Sequence, residues 1–155
     1  MNLRSRGDLN QWHCLRRERV MPDATIKRLD QMESFYDGLV LRARASLGVS
    51  SWGMQIFNLP PNFDQYPEHH HGEGAVDPGQ EEVYIPLEGS ATLFLGDETH
   101  TLESGVWARV GRDQPRRLVP GDAGFRYLAL GGVPGSAFAP PDWTELGASP
   151  PTMPE

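Results

Sequence analysis

The sequence has little that would suit it to an oxidising compartment or to a membrane. Its one cysteine, Cys14, excludes a disulfide within the chain. No apolar run reaches the about 18 residues that a transmembrane helix needs. The first 20 residues also lack the apolar core of a signal peptide. We therefore expect a cytoplasmic protein without a membrane partner.

Positive charge is missing from the middle of the chain. No Lys or Arg lies between Arg44 and Arg109, whereas ten acidic residues do. Over the whole chain, 14 basic residues stand against 21 acidic ones, a net charge of −7. This balance does not suit a nucleic-acid-binding surface, so we predict no nucleic-acid partner. The sequence also lacks a Walker phosphate loop, a dinucleotide-binding glycine motif and a nucleophile elbow.

Glycine and proline are abundant, with 17 and 14 of the 155 residues. This composition disfavours a helical bundle and favours many short strands. Alternating apolar segments separated by turn residues at intervals of about 8–12 residues are typical of a sandwich or barrel. The candidate strands are residues 38–45, 51–59, 81–88, 90–95, 99–102, 105–110, 116–119 and 126–130.

The length of 155 residues suits one domain. Residues 1–28 carry seven basic and three acidic residues without strand or helix periodicity, and we predict a disordered basic leader there. The folded domain is expected over residues 29–146, with a short helical or coil segment before its strands. Residues 147–155 are predicted to be a disordered tail, and Trp143 is expected to hold the preceding C-terminal arm against the barrel.

Three consecutive histidines mark the one segment with evident chemistry, His69, His70 and His71. Side chains alternate between the faces of a strand, so His69 and His71 are expected to converge while His70 faces away. Two imidazoles on one face suit a divalent transition metal, and a neighbouring carboxylate would complete a set of two His and one carboxylate. A solvated polar turn is the alternative interpretation of the triplet taken alone.

The spacing beyond the histidines adds a family resemblance. Glu82 lies seven residues before Gly89, with a β-rich apolar segment between them. Together with His69 and His71, this pattern resembles the first motif of the cupin superfamily. The resemblance to the family as a whole covers about residues 38–133. The resemblance implies an all-β double-stranded β-helix, that is, a jelly-roll barrel, with a metal inside it. It also implies a homodimer and a small-molecule ligand.

The resemblance implies that His69, His71 and Glu82 are metal ligands. The gap of ten residues between His71 and Glu82 is longer than is usual in the family, which leaves Glu81 as an alternative carboxylate. A mixed nitrogen and oxygen ligand set does not select among Fe, Mn, Ni, Zn and Cu. The family includes metal-dependent oxygenases, isomerases and lyases as well as inert members, so the reaction stays open.

The second cupin motif departs from the family pattern, because Arg116 stands where the family has its fourth ligand, a histidine. Arg116 has three alternatives: an ion pair with Glu82 that replaces the metal, an anion anchor at the cavity mouth, or a solvent-exposed position. Tyr84 shares the strand face of Glu82 and is either a hydroxyl donor or a core aromatic. Gln55 is expected to reach the barrel interior. We predict Arg116, Tyr84 and Gln55 as substrate-binding residues, and a metal-free binding module anchored by Arg116 as the alternative function.

Overall fold

A computed structural model describes residues 23–152, which form seven strands and one short α-helix. The strands are β1 (Ser34–Phe35), β2 (Val40–Leu41), β3 (Gly53–Leu59), β4 (Glu81–Leu95), β5 (Glu98–Leu102), β6 (Ala108–Val110) and β7 (Arg117–Gly132). The helix α1 spans Ala43–Leu47, and 3₁₀ turns lie at Leu29–Gln31 and Asp142–Thr144. The predicted all-β fold with a short helical segment near its start is therefore confirmed.

All the strands belong to one antiparallel sheet in the order β1-β2-β3-β7-β4-β5, and β6 pairs with β4 outside this path. The two long central strands, β4 and β7, pair with each other over most of their length. The first half of β4 faces the last part of β7, and its second half faces the beginning of β7. This pairing curls the sheet around one interior.

The sharp bend of β4 lies at Gly89, which explains why the sequence predicts two strands where the structure has one. The pairing of β4 with β7 shifts register on both sides of this region, and such bulges bend a strand. Gly89 has a φ of 70°, in the left-handed region that glycine adopts without a steric penalty. The predicted strands 116–119 and 126–130 likewise join into the single strand β7.

The core lies inside the curled sheet. Its centre is the fully buried Tyr127, whose ring stacks on those of Phe57 and Phe125 at centroid distances of 4.9 and 5.1 Å. A second, smaller cluster of Leu41, Ala43 and Ile56 packs α1 against the back of β3. The strand β3 therefore contributes to both clusters, with Leu59 in the first and Ile56 in the second.

The strand predicted at residues 38–45 is wrong beyond its centre. Only Val40–Leu41 is a strand, and the chain then turns into α1. Arg42 and Arg44, which follow this strand, are both buried. Their guanidinium groups find partners in the C-terminal arm, which local periodicity does not reveal.

This C-terminal arm, residues 133–152, runs as coil from the end of β7 across one side of the barrel. Arg42 donates to the carbonyl oxygens of Trp143 at 3.1 Å and Ala148 at 2.6 Å. The Gly147 amide donates to Glu33 at 2.9 Å, and the ring of Trp143 packs edge-on against Phe35. The contacts at Gly147 and Ala148 show that the arm stays in place beyond residue 146. The parts of the predicted leader and tail at residues 1–22 and 153–155 lie outside the described residues.

No helix within residues 23–152 has the length and hydrophobicity needed to cross a membrane.

Replacing Gly89 by alanine is expected to destabilise the fold by about 2–5 kcal/mol. About 1–2 kcal/mol comes from holding a side chain in the left-handed region, and about 1–3 kcal/mol from overpacking, since the new Cβ would overlap the carbonyl oxygen of Gly124. Gly96 has a similar φ of 64° but open space around it. Gly96→Ala should therefore lose only the first contribution. Equal losses in urea unfolding would contradict this account of the bend.

Candidate metal centre

The histidine segment lies between β3 and β4 and is fixed by backbone pairing to the residue before β7. His69 and Arg116 form an isolated antiparallel bridge, with the His69 amide donating at 3.1 Å and the Arg116 amide at 2.9 Å. The His71 amide donates to the carbonyl oxygen of Arg112 at 2.7 Å. This extended backbone turns His69 and His71 to the same side, as alternation predicts.

Glu82 completes the cluster from the first part of β4. Its strand neighbours are Gly131 on β7 and Val110 on β6, and it faces the barrel interior. One ligand atom from each of His69, His71 and Glu82 lies within 4.8 Å of the others. Glu81 points elsewhere and pairs with the exposed Arg109. The structure therefore brings together Glu82, and not the alternative Glu81, with the two histidines.

The cluster forms part of the wall of a cavity of about 510 Å³. His69, His71 and Glu82 all line it, and so does the predicted residue Gln55. Most of the remaining wall is apolar or aromatic, including Phe57, Phe63, Tyr66, Phe138 and Trp143. A cavity of this size and character suits a small organic molecule.

His71 is the unusual member of the cluster because its ring is buried without partners. The residue is 9% exposed, and neither Nδ1 nor Nε2 has a hydrogen-bond partner among the described residues. Nε2 lies 3.3 Å from Oε2 of Glu82 without the alignment of a hydrogen bond. Buried polar atoms are nearly always satisfied by a partner, so this imidazole fits a ligand that the protein chain does not itself supply.

His69 is also prepared for coordination. Its Nδ1 lies 3.2 Å from the carbonyl oxygen of Pro67, which can only accept a hydrogen bond. In the neutral ring, the proton therefore belongs on Nδ1, and the lone pair of Nε2 is left for a metal. Burial, followed by the charge of Arg116, lowers the pKa of His69. The neutral, metal-binding form is thus the favoured one.

Arg116 lies behind Glu82, fully buried. Its Nη2 donates to Oε2 of Glu82 at 2.6 Å, its Nε to the Tyr84 hydroxyl at 3.1 Å and its Nη1 to the Gln114 carbonyl oxygen at 3.2 Å. The Tyr84 hydroxyl in turn donates to Oε2 of Glu82 at 2.6 Å. Burial alone would raise the pKa of Glu82, but His71, Tyr84 and Arg116 outweigh it and hold that pKa at about 2.

Of the three alternatives for Arg116, the structure shows the ion pair with Glu82, and the replacement of a metal by this pair stays a prediction. Solvent exposure is wrong, because no part of Arg116 is accessible. Neither Arg116 nor Tyr84 is among the residues that line the cavity, so their placement does not support Arg116 as an anion anchor at its mouth. Both act on Glu82 instead, whereas Gln55 does face the cavity.

The carboxylate of Glu82 is not used up by this pair. The contacts from Arg116, Tyr84 and His71 all meet Oε2, which leaves Oε1 without a hydrogen-bond partner within residues 23–152. Glu82 can therefore be held through one oxygen and bind a metal through the other. Outer contacts of this kind commonly orient metal ligands.

Several residues of the site were not predicted from sequence. Tyr66 lines the cavity beside His69 at a centroid distance of 5.7 Å, and its hydroxyl lies 3.0 Å from that of Tyr127. Asp77, from the loop between His71 and Glu82, accepts from the Trp143 indole at 3.4 Å and closes the cavity against the arm. Arg44 lines the cavity from α1. Only long-range packing places Asp77 and Arg44 there, whereas the position of Tyr66 in the approach to His69 was a usable signal.

Comparisons with known proteins show similarity in structure rather than in sequence. No protein-family model matches the chain, and no curated protein matches it. A cupin protein from Bacteroides fragilis is similar, with 20% identity and a TM-score of 0.55 over 77% of this chain and 92% of that one. A protein with a double-stranded β-helix domain from Klebsiella pneumoniae is also similar, with 18% identity and a TM-score of 0.54 over 75% of this chain and 95% of that one.

A third similar structure is a sugar phosphate isomerase of the cupin superfamily from Silicibacter pomeroyi. It shares 22% identity and a TM-score of 0.53 over 69% of this chain and 74% of that one. At these identities the likeness extends to the fold and not to the reaction. The cupin barrel that the first motif predicts is therefore confirmed.

Replacing Arg116 by methionine should destabilise the protein by about 3–5 kcal/mol, because it leaves the Glu82 carboxylate buried without its charge partner. Arg109→Met is the matched control. It breaks the neighbouring but exposed pair with Glu81, and a loss below about 1 kcal/mol is expected. Urea unfolding of both variants measures the difference. Comparable losses would mean that Arg116 does not neutralise Glu82 in the folded protein.

Proposed function

We propose that this cupin-fold protein binds a divalent transition metal through His69, His71 and Glu82 and a small molecule in the adjoining cavity. The observation that carries the proposal is the buried His71 ring, which lacks a hydrogen-bond partner at both nitrogens and lies beside the ionised Glu82. Imidazole nitrogens next to a carboxylate oxygen form a donor set that such metals bind.

The three donors would leave coordination positions open for a ligand. A bound ion would supply Lewis-acid polarisation of a ligand atom, or redox chemistry if it is a redox metal. The donor set does not select among Fe, Mn, Ni, Zn and Cu. An oxygenase, isomerase or lyase reaction stays a prediction, as do the homodimer and the cytoplasmic location.

Other residues of the chain fix the orientation of Glu82 and the position of the proton on His69. Tyr84 and Arg116 hold Glu82 through Oε2, so its orientation is fixed before any ligand binds. Pro67 fixes the proton of His69 on Nδ1. The positive charge of Arg116 also opposes a cation nearby, so we expect weaker metal binding than a site without this guanidinium would give.

A metal-free binding module is the second candidate function. The observation that favours it is the buried ion pair between Arg116 and Glu82, with Nη2 and Oε2 2.6 Å apart, which already neutralises the carboxylate. In this case the guanidinium takes the place of the metal's charge, and the cavity alone would bind a ligand.

Metal analysis decides between these candidates. Untagged protein is dialysed in turn against each of the five metals and then against metal-free buffer, and its metal content is measured by elemental analysis. We expect about one ion per chain for at least one metal, and its loss in His69→Ala and His71→Ala. His70→Ala is the matched control, because His70 is exposed and its Nδ1 accepts from the Gly72 amide. Wild type with no more metal than the His69→Ala/His71→Ala double variant would leave the metal-free module.

A further inference from the structure

The cavity has a second polar end, separate from the histidine cluster. Arg44 and Gln55 both line it, and both are buried, with exposed fractions of 6% and 8%. Each carries an unpartnered polar atom, Nε of Arg44 and Oε1 of Gln55, among the described residues. Buried polar atoms without partners are costly, so two of them in one cavity wall point to a ligand that satisfies both.

Arg44 offers a hydrogen-bond donor with a fixed orientation. Its Nη2 donates to Glu145 at 2.5 Å and its Nη1 to the Val49 carbonyl oxygen at 3.3 Å, which holds the guanidinium in place. Arg42, two residues earlier, is equally buried but donates from Nε, Nη1 and Nη2 to Trp143, Glu33 and Ala148. Of these two arginines, only Arg44 therefore keeps a free donor. Arg42 also does not line the cavity.

Gln55 lies close enough to the cluster of His69, His71 and Glu82 for one ligand to contact both. It pairs across β3 and β7 with Ala129, which pairs in turn with Tyr84 on β4. Two strand spacings separate Gln55 from β4, about 10 Å. The small side chain of Ala129 leaves the space between them open. A small molecule can thus contact both ends of the cavity.

The charge of the wall limits what the ligand carries. Within residues 23–152, Arg44 is the only Lys or Arg that lines the cavity, and its charge is shared with Glu145. Three carboxylates line the same cavity, those of Glu68, Asp77 and Glu82. A phosphate dianion in this cavity would be attracted by Arg44 alone, whose charge Glu145 partly neutralises, and repelled by the three carboxylates. A single carboxylate matches the one free guanidinium donor.

We propose that the cavity binds a small hydroxy-monocarboxylate, whose carboxylate accepts from Nε of Arg44 and whose hydroxyl donates to Oε1 of Gln55. This inference rests on the proposed function only in taking the cavity to be the small-molecule site. It does not depend on whether His69, His71 and Glu82 hold a metal.

Calorimetric titration of the full chain with glycolate, lactate and 3-phenyllactate tests the proposal, with metal chelated and with metal added. At least one of the three should bind, and Arg44→Gln should weaken that binding about tenfold or more, as expected for a lost hydrogen bond to a charged group. Arg28→Gln is the control and should leave the affinity unchanged, because Arg28 is exposed and does not line the cavity. Glu145→Gln should strengthen binding, because it removes the acid that shares the charge of Arg44.

Wild-type protein alone supplies two comparisons that need no variant to fold. The methyl ester of 3-phenyllactate and phenyl phosphate should both bind more weakly than 3-phenyllactate. Failure of all three acids to bind, equal binding of acid and ester, or an unchanged affinity in folded Arg44→Gln would overturn the inference. Acid binding that depends on Arg44 in a protein that binds no metal would contradict only the metal proposal. Bound metal together with acid binding that does not depend on Arg44 would contradict only the hydroxy-monocarboxylate proposal.

Discussion

The buried ion pair of Arg116 and Glu82 is the interaction around which the site is arranged. Arg116 is fully inaccessible, and its guanidinium and the Tyr84 hydroxyl meet the same carboxylate oxygen. Removing two charges from water is costly unless hydrogen bonds satisfy both groups. Here Gln114 takes a further guanidinium donor. The pair joins the segment before β7 to β4, and the backbone bridge from Arg116 carries His69 to the same place.

This arrangement gives the cavity two differently charged ends. Near the ion pair, Glu82 stays ionised. Nε2 of His69 carries a free lone pair in the neutral ring, and neither nitrogen of His71 has a hydrogen-bond partner among the described residues. At the other end, the guanidinium of Arg44 on α1 is part of the cavity wall. The stretch of sequence without Lys or Arg, between Arg44 and Arg109, therefore lies between the two arginines of the site. Arg44 comes directly before it, and Arg116 follows soon after Arg109.

Much of the cluster of His69, His71 and Glu82 could be predicted from features that lie close together in the sequence. Strand alternation places His69 and His71 together, and the resemblance to the first cupin motif, through the spacing from Glu82 to Gly89, implies Glu82 as the carboxylate despite the long preceding loop. The ion pair of Arg116 with Glu82 was only one of three alternatives predicted from sequence, since the partners of Arg116 on β4 are 32 and 34 residues away. The role of Arg44 was missed for the same reason: its burial depends on an arm about a hundred residues later, as its contact with Glu145 over 101 residues shows.

The arm's attachment also has a consequence for the order of folding. Arg42 contacts Trp143 and Ala148 across separations of 101 and 106 residues, and the entropic cost of closing a loop rises, though slowly, with its length. Contacts so distant along the chain form late unless others have already brought them close. The central pairing of β4 and β7 involves shorter separations and brings the arm near its partners. The part of the cavity wall that the arm supplies is thus expected to be among the last parts of the molecule to assemble, so that ligand binding reports a completely folded chain.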